Sequence, residues 1–314
     1  MASSKKAGRI VRRRLADGTV KTYTYGPYKQ RSAPKRDTLD HLISAWMASP
    51  EWSALQPSTQ SGYVTYSRPL VRMGHIGADK IERRDIIVIR NALAEASGHG
   101  AATAFQRCAS ALFAWGVEND FLKFNPIARL RRLKGGSLPA WSALEADRAQ
   151  AELLPHLAHA VLLARYSGQR RGDLVRMLWS DYDGERLRVR QQKTGTALVI
   201  PVHPILQREL DQWPRTAVTI LTNRFGRPWT SPSNLSKQLQ DGLAKLPGFR
   251  SGLNVHGLRK LACAALAEAG ASPHEIMAIS GHKTLALVAH YTRSADQPRL
   301  ASAAIIRLAG KARS

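Results

Sequence analysis

The chain has few of the features that stabilise secreted proteins or anchor membrane proteins. Its 314 residues include only two cysteines, Cys108 and Cys263, which lie far apart in apolar helical patterns. We therefore expect two reduced core residues rather than a disulfide. No apolar run approaches the roughly 20 residues that a helix needs to cross a bilayer, and the N-terminus lacks the apolar stretch of a signal peptide. These absences favour a cytoplasmic protein without a membrane partner.

Acidic residues are also scarce, and their scarcity indicates the class of partner. The chain has 23 Asp and Glu against 47 Lys and Arg, which gives a net charge of +24. Such a surplus is typical of proteins that bind a polyanion. Because no membrane segment is apparent, nucleic acid is the stronger candidate. The apolar fraction of 44% allows a sizeable core, and the length allows two domains.

The motifs of common cofactors are missing as well. We find no His/Cys set with zinc spacing and no Gly-x-x-x-x-Gly-Lys-Ser/Thr phosphate loop. No cluster of carboxylates of the metal-nuclease type accompanies the candidate site residues discussed below. The sequence therefore predicts a reaction that uses no metal, no nucleotide and no other cofactor.

Composition and periodicity divide the chain into four segments. Residues 1–36 form a strongly basic arm, where Asp17-Gly18 between two β-prone runs predicts a small DNA-binding hairpin; a disordered basic tail is the alternative. Residues 37–128 have helical periodicity and predict a helical domain with its aromatic side chains in the core. Residues 129–140 are a basic, glycine-containing linker. Residues 141–314 form a second domain.

Basic side chains of the arm and the linker are candidates for contacts to a nucleic-acid backbone. The alternative is an ordinary solvated basic face. The candidates are Arg12, Arg13, Arg14, Arg131, Arg132 and Lys134.

Helical spacing predicts most elements of both domains. In the first domain we expect helices from Thr38, from Ser58, over 85–96 and over 101–118. In the second we expect a β-hairpin of 186–192 and 197–202, with Lys193 at its turn. The helices predicted there cover 144–153, 155–166, 171–178, 204–212, 233–245, 257–269 and 284–291, and a short amphipathic segment covers 300–308.

Residues that can carry chemistry occur in three clusters of the second domain. The first contains Arg170 and Asp173. The second contains His256 and Arg259, which share a helix face because they are three residues apart. The third is Gly281-His282, which precedes Tyr291 by nine residues, or about 2.5 helical turns. His282 and Tyr291 can therefore converge only if a new helix begins between them, with Thr284 as a candidate N-cap.

The order and spacing of these residues resemble the tyrosine recombinase family, which includes phage integrases. The resemblance is specific over residues 166–294 and extends less sharply over nearly the whole chain. It implies a mainly α protein with small β-hairpins, in which a helical core-binding domain and an α+β catalytic domain clamp DNA. The matching motifs are Gly168-x-Arg170-x-x-Asp173-Leu174, Lys193, His256-x-x-Arg259, Gly281-His282 and Tyr291.

The resemblance implies Tyr291 as the nucleophile that forms a 3′-phosphotyrosyl link with DNA. Arg170 and Arg259 would bind the nonbridging phosphate oxygens, for which a planar guanidinium with two parallel donors is well suited. Arg171 is adjacent to Arg170, but the distance to Asp173 favours Arg170 in the motif.

The remaining motif residues receive supporting roles by the same resemblance. His256 would take the tyrosine proton, and His282 would hydrogen-bond the phosphate. Lys193 would protonate the leaving 5′-oxygen, and Asp173 would orient Arg170.

We therefore expect a site-specific DNA recombinase of the phage or genomic-island integrase type. The resemblance implies a homotetramer on double-stranded DNA attachment sites, with accessory DNA-bending proteins as further candidate partners. Three alternatives remain open: a type IB topoisomerase-like enzyme, a catalytically inactive DNA-binding relative, and a basic helical protein with an accidental pattern.

Overall fold

The computed structural model describes residues 10–14, 19–24, 36–133, 135–136, 138–293, 301–302 and 305–306. The chain divides into two compact units, Met1–Gly136 and Ser137–Ser314, and the boundary falls inside the predicted linker. Lys134 lies outside the described residues, as do Leu300 and Leu308 of the predicted C-terminal amphipathic segment. Within the described ranges, no helix has the length and apolar character that a membrane crossing requires.

The basic arm contains an antiparallel pair of strands, β1 (Ile10–Arg14) and β2 (Val20–Thr24). Arg12, Arg13 and Arg14 lie on β1, opposite Thr22, Lys21 and Val20. The predicted hairpin is thus present, although its expected turn at Asp17-Gly18 lies outside the described residues. Its binding of DNA stays a prediction.

The first unit continues as a helical bundle. Its longest helix bends at Gly98, whose φ of 80° and ψ of 166° are not helical. The two helices predicted over 85–96 and 101–118 are the two arms of this bent helix. The helices are α1 (Leu39–Met47), α2 (Pro50–Ser53), α3 (Pro57–Val71) and α4 (Arg83–Glu118).

Aromatic and aliphatic side chains fill the core of this bundle, as predicted. Phe105 and Phe113 of α4 are fully buried, and Cys108, which lies between them in sequence, is a buried free thiol. Trp46 packs edge-on against Trp52 with ring centroids 4.9 Å apart. These rings stabilise the bundle by removing apolar area from water.

Two buried polar residues of α4 hold the chain that follows it. Gln106 Nε2 donates to the carbonyl of Leu130 at 2.7 Å, and Arg90 Nη1 donates to the carbonyl of Arg131 at 3.2 Å. The predicted linker is therefore fixed to the first unit as far as Arg131, while the side chains of Arg131 and Arg132 are exposed.

The second unit combines helices with one β-hairpin, and the prediction of a mainly α protein with small hairpins is confirmed. Strands β3 and β4 are antiparallel, and Leu187 lies opposite Ile200. The elements are α5 (Ala143–Glu152), α6 (Pro155–Ser167), α7 (Arg171–Leu174), β3 (Arg186–Arg190), β4 (Ala197–Pro201), α8 (Pro204–Gln212), α9 (Pro232–Leu243), α10 (Val255–Glu268), α11 (Pro273–Ser280) and α12 (Leu285–Arg293).

Two of these elements differ from the predictions. Helix α7 is a single turn that ends at Leu174 rather than at 178, and Leu178 is extended and forms a β-bridge with Thr219. Helix α11 was not predicted at all. Its signals are present in the sequence: Ser272 and Glu275 form a capping box, and Pro273 occupies the first helical position.

Helix α6 is the centre of the second unit and positions the candidate site. It packs against both α5 and α10, and Leu162 and Leu163 are buried with no more than 1% exposure. Because α6 is fixed on both sides, the residues directly after its C-terminus, Gly168 to Arg170, have a defined position.

Candidate active site

A left-handed residue at the end of α6 directs Arg170 into the site. Gly168 caps the helix with φ 63° and ψ 19°, a conformation in which glycine is favoured. Arg170 follows in extended conformation, and its Nη1 donates to Gln191 Oε1 at 2.6 Å. Arg171 is exposed and donates instead to Ser236 Oγ at 3.2 Å. The geometry thus agrees with the choice of Arg170 over Arg171.

Helix α10 supplies His256 and Arg259 one turn apart. The side chain of Asn254 caps this helix by accepting from the backbone N–H of His256 at 2.9 Å. Arg259 is only 1% exposed, and its Nη1 donates to the carbonyl of Gly168 at 2.9 Å. Burial and the charge of Arg170 lower the pKa of Arg259 to about 10, so this guanidinium is still charged at neutral pH.

His282 follows the left-handed C-cap of α11 and joins Arg259 to Ser280. Its Nε2 lies 3.0 Å from Arg259 Nη2, and its Nδ1 lies 2.7 Å from Ser280 Oγ. A guanidinium can only donate, so Nε2 must accept. The Ser280 hydroxyl donates its proton to the carbonyl of Ile276, so Nδ1 carries the hydrogen that bonds Ser280.

This arrangement requires a neutral imidazole. Burial, followed by the charges of Arg259 and Arg170, lowers the pKa of His282 to about 4. The predicted hydrogen bond from His282 to a phosphate is therefore not prepared in the free protein, because Nε2 accepts from Arg259 there. Donation to a phosphate requires a hydrogen on Nε2 and a new partner for Arg259.

Tyr291 lies on a helix that begins after His282, as predicted. Helix α12 starts at Leu285, and the centroid of the Tyr291 ring lies 6.2 Å from that of His282. The ring packs against an apolar cluster that includes Cys263 and Val288. Burial raises the pKa of Tyr291, and the nearby charge of Arg259 opposes the rise. The hydroxyl is protonated at neutral pH and must lose its proton to become a nucleophile.

Lys193 occupies the turn of the β3–β4 hairpin and is exposed. The positive charges of Lys260, Arg259, Arg170 and Lys193 lower the pKa of His256, after the larger effect of its partial burial. Lys193 therefore lies near enough to His256 to act on it electrostatically. All six predicted catalytic residues converge on one region of the second unit.

The backbone N–H of Asp173 donates to the carbonyl of Arg170 at 2.9 Å, but among the described residues the Asp173 carboxylate makes no hydrogen bond with the Arg170 guanidinium. Its Oδ1 accepts from the backbone N–H of Gln192 at 2.9 Å, and its Oδ2 is buried without a hydrogen-bond partner among the described residues. The carboxylate thus anchors the hairpin that carries Lys193. The orienting role that the resemblance implied for Asp173 is not exerted by a direct side-chain bond, because Arg170 precedes α7 in extended conformation and its guanidinium bonds Gln191.

Sequence reasoning missed three polar residues that hold the site together and whose exposed fraction is 0%. They are Gln169, Gln191 and Ser280. A signal for Gln191 existed. Strand β3 alternates exposed arginines with buried Leu187 and Val189, and the same alternation places Gln191 inward. A glutamine at an inward position needs polar partners.

The comparisons with known proteins identify the family. A model described as the phage integrase family matches residues 143–298, which include all six predicted catalytic residues. The chain belongs to this family of tyrosine recombinases. The match lies within the second unit.

A curated relative and several solved structures resemble this tyrosine recombinase. An integrase of Escherichia phage HK022 is 51% identical over 53 residues, which are 17% of this chain and only 15% of that integrase. A lambda integrase dimer bound to a COC′ core site is 23% identical with a TM-score of 0.69, covering 82% of this chain and 79% of that one.

Two further structures have the same fold. A lambda integrase tetramer bound to a Holliday junction is 20% identical with a TM-score of 0.68, covering 87% of this chain and 95% of that one. The Tn1549 transposon integrase in complex with a circular intermediate DNA is 16% identical with a TM-score of 0.68, covering 86% and 99%. At these identities the likeness establishes the fold.

Proposed function

We propose that this protein is a site-specific DNA recombinase that cuts and rejoins strands through a 3′-phosphotyrosyl intermediate, with Tyr291 as the nucleophile. The observation that carries the proposal is the convergence of Arg170, Arg259, His256 and His282 near a partly buried tyrosine. Such a cationic group fits the charge that develops on a phosphodiester during in-line attack.

The two arginines are the phosphate clamp of this proposal. Arg170 and Arg259 together provide paired donors for the two nonbridging oxygens. In the free protein Arg259 Nη2 is bonded to His282. A bound phosphate would take over that donor, and a hydrogen on His282 Nε2 would then complete the clamp.

Proton transfer involves the other members of the set. A tyrosine hydroxyl has an ordinary pKa of about 10, and burial raises the pKa of Tyr291 further. His256 has a lowered pKa and is therefore neutral at pH 7, so it can accept the proton. Lys193 on the hairpin turn donates a proton to the leaving 5′-oxygen. The covalent link conserves the bond energy, so rejoining needs no ATP, and no metal or cofactor takes part.

The partners follow from charge and from the related structures. A net charge of +24 suits double-stranded DNA, and we propose that both units contact the duplex. Because a similar lambda integrase forms a tetramer on a Holliday junction, we propose a homotetramer that joins two attachment sites. The expected setting is the cytoplasm, with an integrase role for a phage or genomic island and help from DNA-bending proteins.

A covalent-capture assay tests the proposal. A binding site is first selected from a pool of random-sequence duplexes, and duplexes nicked near each position of that site are then incubated with the protein. After cleavage the short 5′-hydroxyl fragment dissociates, so the adduct accumulates and is seen on a denaturing gel.

We expect an adduct whose tyrosine is identified as Tyr291 by peptide mapping. Binding without any adduct would instead indicate an inactive relative. Relaxation of supercoiled plasmid by single protomers, without pairing of sites, would indicate a topoisomerase.

A further inference from the structure

Gln191 is fully buried, and its side chain uses its whole hydrogen-bonding capacity. Within the described part of the chain, Nε2 donates to Gln169 Oε1 at 2.7 Å and to the carbonyl of Ser280 at 2.8 Å. Oε1 accepts from Arg170 Nη1 at 2.6 Å and from Thr194 Oγ1 at 3.0 Å. A carboxamide has two donor hydrogens and two acceptor lone pairs, so no capacity remains.

These bonds connect three parts of the chain that are far apart in sequence. They are the turn after α6, the β3–β4 hairpin and the end of α11. The approach at α11 is so close that a Cβ at Gly281 would collide with the amide of Gln191. Gly281 also has φ 68°, so a side chain there would be strained as well as obstructed.

The orientation of the carboxamide is determined by its neighbours. Gln169 Nε2 donates to the carbonyls of Ser167 and Ile279, at 2.9 and 2.8 Å, so its Oε1 must face Gln191. Gln191 therefore presents Nε2 to Gln169, and its oxygen faces Arg170. The reverse orientation would place the amide N–H groups of Gln191 against the guanidinium, which can only donate. It would also leave Gln169 Oε1 and the carbonyl of Ser280 without the donor they have now.

We infer that Gln191 is a positioning residue that fixes the guanidinium of Arg170 for phosphate binding and couples it to the Lys193 hairpin and the His282 turn. The inference rests on the proposed function. An amide oxygen holds the guanidinium without cancelling its charge. A carboxylate at this position would hold it as firmly but would neutralise the charge that a phosphate needs, which accounts for a glutamine rather than a glutamate.

The test compares Gln191→Met, which keeps the volume and removes all four bonds, with Gln192→Met as a matched control. Gln192 is the adjacent glutamine and is exposed. Three quantities are measured on a nicked duplex: melting temperature, DNA affinity, and the rate constant of covalent capture at saturating protein. We expect Gln191→Met to slow capture by about 10- to 100-fold, the scale of a misplaced catalytic group.

DNA affinity should change less than about three-fold, because Arg170 is one of many phosphate contacts. Gln192→Met should match the wild type in all three quantities. Capture by Gln191→Met within three-fold of the wild type would overturn the inference. If the wild type gives no adduct, the proposed function fails instead, so the two failures are distinguishable.

A double-mutant cycle separates positioning from general support of the fold. Capture on a nicked duplex is irreversible, so even an Arg170→Ala protein accumulates adduct over hours. In that background Gln191→Met should slow capture by less than about three-fold, because the group it positions is gone. Equal slowing in both backgrounds would overturn the inference.

Should Gln191→Met fail to fold, Gln191→Glu is the substitute because it has the same length. It is expected to slow capture at least ten-fold for two reasons. The two N–H donors of Gln191 are lost, and the new carboxylate neutralises the charge of Arg170. Capture by Gln191→Glu within three-fold of the wild type would equally refute the role.

Discussion

The two units of this protein both bury polar side chains, but they use them in different ways. In the first unit, Arg90 and Gln106 donate to backbone carbonyls of the segment after α4 and so fix a piece of chain. In the second unit, Gln191 donates to Gln169, and Arg259 donates to the carbonyl of Gly168 and to His282. These bonds connect segments that are far apart in sequence and fix the side chains of the candidate site.

The difference lies in how many polar partners each substitution would disturb. A backbone carbonyl at a surface segment can exchange its partner for water. The buried amides and the guanidinium of the active site cannot, because each would leave another polar group without a partner. A single substitution in the first unit should therefore act locally, whereas one in the second should also disturb the buried polar groups that bond to it.

The largest expected effect is that of removing the proposed nucleophile alone. Tyr291→Phe should abolish covalent capture while leaving DNA binding near the wild-type level, because only a hydroxyl is lost. The measurement is a denaturing gel for the adduct beside a mobility-shift titration. An adduct that persists in Tyr291→Phe would show that another residue attacks the phosphate.

The next largest effect concerns the two arginines. Arg170→Ala and Arg259→Ala should each slow capture by about 100-fold or more, the scale of losing a transition-state donor. Arg171→Ala is the matched control. This variant should cut at nearly the wild-type rate, because the Arg171 guanidinium that it removes donates to Ser236. Rates are compared by single-turnover capture. Equal losses for Arg170→Ala and Arg171→Ala would remove the distinction between them.

A smaller effect is expected for stability against pH. The pKa of His282 is lowered to about 4 from an ordinary 6.5, so between these values the unfolded chain binds the proton and the folded one does not. Stability should therefore fall as the pH drops from 6.5 towards 4.

The His282 contribution is at most about 3 kcal/mol by linkage. His282→Gln should lose less stability than the wild type over that range in melting curves recorded by circular dichroism. Other histidines with lowered pKa values, such as His159, contribute to both proteins alike. Parallel pH dependences for wild type and variant would contradict the neutral state of His282.

The smallest effects should come from the exposed arginines of the linker, Arg131 and Arg132. Arg131→Ala and Arg132→Ala should each weaken DNA binding a few-fold, equally for all sequences, and reduce the salt slope of log K by about 1. Binding titrations between low and moderate salt give the slope. An unchanged slope would mean that these exposed side chains do not touch phosphates.

Much of the second unit followed from local patterns in the sequence. Tyr291 and His282 required a helix start between them, and α12 begins at Leu285 as that spacing demanded. Helix periodicity and strand alternation are local, so they can be recognised without knowing the fold. The convergence of Arg170, Arg259 and His282 was predictable only through resemblance to a family, because no spacing rule brings three helix ends together.

The errors have a common physical cause. Asp173 was assigned to Arg170 by resemblance to a family, yet its carboxylate accepts from the backbone N–H of Gln192, which is distant in sequence. Gln169, Gln191 and Ser280 were missed for the same reason, since the partners of a buried polar group are set by tertiary packing. Only the alternation of β3 could have indicated that Gln191 points inward.

Arg259 has a consequence that reaches beyond catalysis. It lies on α10 and donates to the carbonyl of Gly168, the residue that caps α6. It also donates to His282, which follows α11. The cutting apparatus therefore does not exist in any one segment of the chain and forms only when the ends of these helices have come together. Under the proposed mechanism, a copy of the chain in which these segments have not come together lacks the phosphate clamp, so DNA cleavage depends on complete folding of the second unit.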